Sequence, residues 1–164
     1  MEAPRFAADA MLGRLARWLR ALGFDTVYDN MIADPVLVEL AAQECRVLLT
    51  RDRHLLRELR PAQALELRQD DPLQQLRHVV TELELPGPLA MFSRCLLCNS
   101  MLEQLAAAEA DAVLAQLEHV PPGPVRRCPT CCRLYWDGSH ARRMRAALDR
   151  MLPGWAPAPP DAQG

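Results

Sequence analysis

The sequence predicts an α/β fold: a mostly parallel sheet flanked by helices, with a cysteine-rich metal module appended at the C-terminus. Two patterns carry that expectation. Between residues 5 and 83, apolar runs of strand length alternate with helix-length segments, and the connections are short. Parallel strands joined by covering helices leave this signature. Past Leu85 the texture changes, with a PGP break followed by two C-x-x-C pairs. Half of the 164 residues are apolar, enough to bury a real core.

Arg5-Phe6-Ala7-Ala8 forms a short strand that ends at Asp9. Leu12, Leu15, Leu19 and Leu22, with Trp18 beside them, recur at helical spacing and stop at Gly23. FDTVYD (24–29) is the second strand. Asp34-Pro35 opens a helix to about Glu44, with Asp34 as N-cap and Pro35 at the first helical position. RVLLT (46–50) is the third strand, and a short helix around Leu55 to Leu59 ends before Pro61. ALELR (64–68) is the fourth strand, and Asp71-Pro72 starts a helix reaching about Leu83. The Ala-rich stretch 105–117 reads as a helix within a loop-rich module. A final amphipathic helix runs from Ser139 or His140 to about Leu152, with Ser139 as its cap. The division expected is an α/β domain over 1–88, a zinc module with the C-terminal helix over 89–152, and a disordered Pro-rich tail over 153–164.

Charge and composition narrow the function. The formal net charge is -2, which argues against a protein that coats nucleic acid indiscriminately. All basic residues are arginine, and residues 126–150 hold seven Arg against two Asp. That surplus suits either a restricted anionic contact or a solvated helix face. No run of eighteen apolar residues is present, so no membrane span is expected. The start, MEAPRFAADAML, lacks a basic-then-apolar secretion pattern, and a cytoplasmic location is expected. There is no G-x-G-x-x-G, no Walker-type loop and no G-x-S-x-G elbow.

Cys95-Leu-Leu-Cys98 and Cys128-Pro-Thr-Cys131 are separated by 29 residues. A two-residue gap lets a tight turn aim both thiolates at one ion, and two such turns complete the tetrahedral four-sulfur site of structural Zn²⁺. An inserted helix accounts for the long spacer. The competing readings are redox pairs or coincidence. With every position a Cys, no coordination site is left open for chemistry at the metal.

Asp9, Asp29, Asp52 and the pair Asp70 and Asp71 each follow a predicted strand, and Asp34 starts the helix after the second. All therefore fall at the carboxyl edge of the sheet, where open α/β sheets bind ligands. Carboxylates converging there repel one another unless they bind a hard cation such as Mg²⁺ or Mn²⁺. Helix capping is the rival explanation for Asp9, Asp34 and Asp71. Asp52 directly terminates the most apolar strand, with Arg51 and Arg53 on either side and His54 two residues on. Arg14, Arg17 and Arg20 recur on the first helix away from the leucines, as phosphate contacts or as a solvated face. Tyr135, Trp136, Ser139 and His140 either stack on bases or pack the cysteine module against the α/β body.

FAADAMLGRLARWLRALGFDT, ADPVLVELA, RVLLTRDRHLL, SRCLLCN and CPTCCRLYWDGSH, followed by an Arg-rich helix with Met144, together resemble the Mut-seven C-terminal family. The resemblance covers residues 5–150 with its motifs in order. It implies a PIN-like RNase domain carrying a zinc ribbon. On that likeness Asp9, Asp34 and Asp52 correspond to the acidic Mg²⁺ or Mn²⁺ site, with Asp29, Asp70 or Asp71 as a further acidic position. Cys95, Cys98, Cys128 and Cys131 match the ribbon ligands, and Cys132 departs from the small residue expected beside them. Some relatives carry an additional N-terminal ubiquitin-like module, for which this sequence has no room. The function expected is RNA phosphodiester hydrolysis, with Arg14, Arg17, Arg51, Arg53, Arg142 and Arg143 as RNA contacts. The alternatives are a non-catalytic RNA- or ribosome-associated binding module and a protein-interaction adaptor.

Overall fold

The computed structural model describes residues 2–119 and 123–157. Four strands, β1 (Phe6–Ala8), β2 (Thr26–Tyr28), β3 (Val47–Thr50) and β4 (Ala64–Glu66), form one parallel sheet in the order β2-β1-β3-β4. They are joined by α1 (Gly13–Ala21), α2 (Asp34–Gln43) and α3 (Arg53–Leu59), and α4 (Pro72–Glu82) follows β4. The pleat divides the core. Phe6, Ala8 and Leu49 pack on Leu15, Leu19 and Leu76 from α1 and α4, while Ala7 and Leu48 pack on Leu37, Ala41 and Leu55 from α2 and α3. Successive strand residues face opposite sides, so an unbroken apolar run such as VLL serves both cores at once.

The cysteine-rich part forms a second, antiparallel sheet of β5 (Glu103–Gln104), β6 (Arg126–Arg127) and β7 (Leu134–Tyr135). Between β5 and β6 lies α5 (Ala107–Leu114), which buries none of its residues. It is the inserted helix that lengthens the spacer, and it is shorter than the Ala-rich stretch suggested. The last helix, α6 (Ser139–Met151), leaves the ribbon and returns to the α/β body. Leu148 is 0% exposed within the same core as Leu15 and Leu76. A strap, residues 89–92, ties the two parts: Leu89 N–H donates to Leu22 O at 3.0 Å and Phe92 N–H to Ala21 O at 2.6 Å. Gly23 allows this approach, because at φ +90 its Cβ would stand 2.6 Å from Ala90 O.

Three local expectations change. Asp34 does not cap α2: the helix begins at Asp34 itself, with Ala33 at the N-cap and no side-chain bond. Ser139 likewise begins α6 behind Gly138, which offers no side chain. The tail expected to be disordered from 153 instead docks first, since Trp155 donates its indole N–H to Leu85 O at 2.7 Å and packs on the core. The rest of that expectation, residues 158–164, lies outside the described residues. No helix among the described residues is long and apolar enough to cross a membrane.

At the amino ends of the strands Arg46 is the hub. Its guanidinium takes both Asp25 carboxylate oxygens at 2.8 and 3.2 Å and also donates to Phe6 O at 3.2 Å. Burial pushes the Asp25 carboxyl up, but the hydrogen bonds from Arg46 and Asn99 outweigh it and hold the pKa below its ordinary value. The bound proton is thus disfavoured in the folded state. Stability from this pair is fully present above the unfolded value, about 3.9, and drains away as pH falls through the lower native value. Acid unfolding curves of Asp25→Asn should therefore lose part of the parent's decline below about pH 4. Leu148→Ala should cost about 2–5 kcal/mol in urea unfolding, the expected loss for a core leucine, and an ordinary surface-helix value would refute the docking of α6.

Candidate acidic edge and cysteine cluster

The strand order places β1 at a switch point. The chain leaves it for β2 on one side, then crosses back to β3 on the other, and such crevices are where α/β sheets present ligand-binding groups. Asp9 follows β1 and is only 4% exposed. Its Oδ1 accepts from Met11 N–H at 2.9 Å, and its Oδ2 accepts from Thr50 Oγ1 at 2.5 Å and from Arg51 N–H at 2.9 Å. Thr50, fully buried at the end of β3, accepts in turn from Asp52 N–H at 2.9 Å. Thr50 therefore joins the two aspartates, one through its proton and the other through a lone pair. Reading for charged groups alone passes over Thr50. Its signal in the sequence is the single hydroxyl that closes the VLL run.

Asp52 also turns out to be a helix cap. Its Oδ1 accepts from His54 N–H at 2.7 Å and Leu55 N–H at 3.3 Å, because α3 starts at Arg53 rather than at Leu55. Oδ2 of Asp52 accepts no hydrogen bond among the described residues. The carboxylate of Asp34 is exposed, with no hydrogen bond in that same set. Asp29 closes a turn onto Met31 N–H at 2.8 Å, and Asp71 caps α4 through Leu73 and Gln74 N–H, both at 3.0 Å. Asp70 is paired to Arg51. These donors are hard oxygens of the kind Mg²⁺ and Mn²⁺ take. They do not converge as ligands do, however: among the described residues, the only group of three or more His, Cys, Asp or Glu whose ligand atoms lie within 4.8 Å of one another is made of cysteines.

The arginines separate into kinds. Arg14, Arg17, Arg142 and Arg143 are exposed and form no salt bridge among the described residues. Arg51 bonds Asp70 and Arg53 bonds Glu66 at 2.7 Å. Arg20, read with its neighbours as a phosphate contact or part of a solvated face, is only 3% exposed. It donates to Thr26 O at 3.0 Å and to Leu96 O and Leu97 O at 3.0 and 2.9 Å.

Cys95, Cys98, Cys128 and Cys131 could hold a zinc ion. Cys95 and Cys131 Sγ are 3.6 Å apart, and Cys98 and Cys128 Sγ 3.3 Å. A tetrahedron with Zn–S near 2.3 Å sets sulfur atoms about 3.8 Å apart, so little movement is needed. Both turns are built alike. Asn99 N–H returns to Cys95 O and Cys132 N–H to Cys128 O, each at 3.0 Å, and both residues have positive φ, +70 and +59. Cys132 thus occupies the position where glycine is easiest and lies outside the group of four thiols, which includes Cys131. Burial pushes the Cys95 thiol up, but hydrogen bonds from Tyr135 and from the Cys98 and Leu97 N–H groups hold it at about 6. Tyr135 also accepts Leu96 N–H at 3.1 Å, so it packs into the module, whereas Trp136 is 41% exposed.

Metal analysis should find about one zinc per chain, lost in Cys131→Ser and kept in Cys132→Gly, which should also leave thermal stability at or above the parent's. If Cys132→Gly loses the metal, Cys132 is the ligand instead. No curated protein and no solved structure matches the chain. The family model described as the Mut7-C RNAse domain matches residues 4–148, and with nearly the whole length covered the chain belongs to the Mut7-C RNAse domain family.

Proposed function

We propose that this protein is a metal-dependent ribonuclease acting in the cytoplasm, with the acidic edge as its active site and a structural zinc ribbon that aids RNA binding. The observation that carries the reading is the Asp9–Thr50–Asp52 linkage at the switch point of the sheet. Asp9, Asp52 and Asp34, which are not gathered as a ligand set without an ion, would draw together to hold Mg²⁺ or Mn²⁺, which would supply an activated water and stabilise charge at the phosphodiester. Thr50 fixes the orientation of Asp9 by donating to Oδ2, and the Asp52 cap occupies one carboxylate oxygen and leaves the other without a hydrogen bond among the described residues. Asp29, Asp70 and Asp71 are the candidates for a further acidic position. Among the described residues, Arg14, Arg17, Arg142 and Arg143 have no acidic partner to leave before meeting phosphate. The exposed pairs Arg51–Asp70 and Arg53–Glu66 are weak enough for a phosphate to displace. Four thiols grouped as ligands rather than as disulfides suit a reducing compartment.

The second reading is a non-catalytic RNA- or ribosome-associated module. It is favoured by one observation: Asp9, Asp52 and Asp71 each accept backbone N–H groups at a helical start. Asp52→Asn separates the two, because asparagine caps a helix as well as aspartate but is a poor ligand for a hard cation. The nuclease requires that this variant keep its unfolding midpoint and lose Mn²⁺-dependent cleavage of a mixed RNA pool by roughly 10²-fold or more. Undiminished cleavage would remove the acidic site from the mechanism. RNA affinity that falls with salt, with no cleavage by the parent, would select the binding module. Thr50→Val should lower cleavage or Mn²⁺ affinity by about 10–100-fold, the usual scale for losing a group that orients a ligand.

A further inference from the structure

We propose that the first cysteine turn is a clamp on the edge strand β2, so that metal occupancy of the ribbon governs the order of the segment carrying Asp34. The part of the inference that concerns Asp34 rests on the nuclease reading above; the clamp itself does not.

As the outer strand of its sheet, β2 has only β1 for a neighbour, and three residue pairs set its register. The peptide groups on its free side would ordinarily meet water. At Thr26, which is fully buried, they do not. Thr26 N–H donates to Asn99 Oδ1 at 3.0 Å, and Thr26 O accepts from Arg20 Nε at 3.0 Å. Both partners belong to the cysteine turn or are held by it. Asn99 is the positive-φ residue that closes the turn, and the Nη1 of Arg20 is seated on the carbonyls of Leu96 and Leu97, between Cys95 and Cys98. The other end of the Asn99 amide donates to Asp25 Oδ1 at 2.7 Å, which leads to Arg46 and to Phe6 O. The turn therefore replaces the missing strand neighbour at one point, and it does so with side chains whose geometry depends on the turn staying closed.

What β2 carries lies at its other end. Tyr28 lies against Gly13, where a Cβ would stand 2.7 Å from its Oη, and that hydroxyl donates to Ala10 O within the turn capped by Asp9. Beyond Tyr28, residues 29–33 lead straight to Asp34. A strand of three residues that loses its outer partner at Thr26 is left, among the described residues, with its short pairing to β1 and the Tyr28 hydroxyl to hold its register. Loosening then reaches both the Asp9 turn and the Asp34 loop, while β3 and β4 keep their own pairing.

Asn99→Gly in the zinc-loaded full chain is the decisive variant, because glycine keeps the positive φ and removes both amide bonds. Hydrogen exchange followed by mass spectrometry should show residues 26–34 exchanging at least about tenfold faster, with 47–50 and 64–66 unchanged and the zinc content still about one per chain. Chelating the zinc from the parent should accelerate the same segment first. Mn²⁺ titration should show weaker binding in Asn99→Gly than in the parent. Parent-like exchange over 26–34 in the zinc-loaded variant overturns the clamp, as does uniform acceleration across all four strands. Absent Mn²⁺ binding by the parent, combined with faster exchange at 26–34 in the variant, supports the clamp and instead overturns the nuclease reading.

Discussion

Strands of three or four residues set the governing constraint, because so short a ladder cannot fix its own place. Side chains bonded to backbone at both ends of the sheet do it instead. At the carboxyl end the Thr50 hydroxyl and the Arg51 N–H meet Asp9, binding β3 to the turn that leaves β1. At the amino end Arg46 gathers Asp25 and the Phe6 carbonyl under β1, β2 and β3. Most of these groups are removed from water, where an unpaired donor or acceptor costs about 1–3 kcal/mol. The sheet is therefore held less by strand length than by the cost of breaking its ends.

The same economy explains why the acidic edge resists a single label. A carboxylate has two oxygens, and a cap needs only one. Asp52 spends Oδ1 on the first N–H groups of α3, and its Oδ2 accepts no hydrogen bond among the described residues. Capping and the proposed cation binding are then compatible, since a cap that fixes the rotamer would hold the carboxylate ready for an ion. Asp34 is the contrasting case: placed inside the first turn of α2 rather than before it, it has no backbone to satisfy.

The cysteine-rich part is less separate than its composition suggests. Its strap bonds the end of α1, its first turn holds Arg20 and Thr26, and its last helix places Leu148 in the α/β core. A boundary near residue 88 marks a change in texture, while the packing runs across it. Arg145 shows the same continuity, with its guanidinium over the Phe92 ring at 5.1 Å.

Between residues 5 and 83 the order of strands and helices was legible in the sequence because each rests on local signals, whereas the two-residue strands β5, β6 and β7 were not. The VLL run, the leucine spacing of α1, the Asp71-Pro72 start and the paired C-x-x-C turns all act over a few residues, and the structure follows them. The metal-ready cysteines were legible for the same reason, since ligand spacing within a turn is local chemistry. What escaped depends on which distant backbone lies opposite a side chain. Arg20 has the same residue type and spacing as Arg14 and Arg17, and only the arrival of the Leu96 and Leu97 carbonyls, more than seventy residues on, makes it a buried tie. Thr50 reads as the end of a strand until Asp9 is brought beside it by the pairing of β1 with β3. Local sequence determined which groups exist and on which element they sit. Tertiary structure decided which of them meet, because a hydrogen bond depends on position in space and not on distance along the chain.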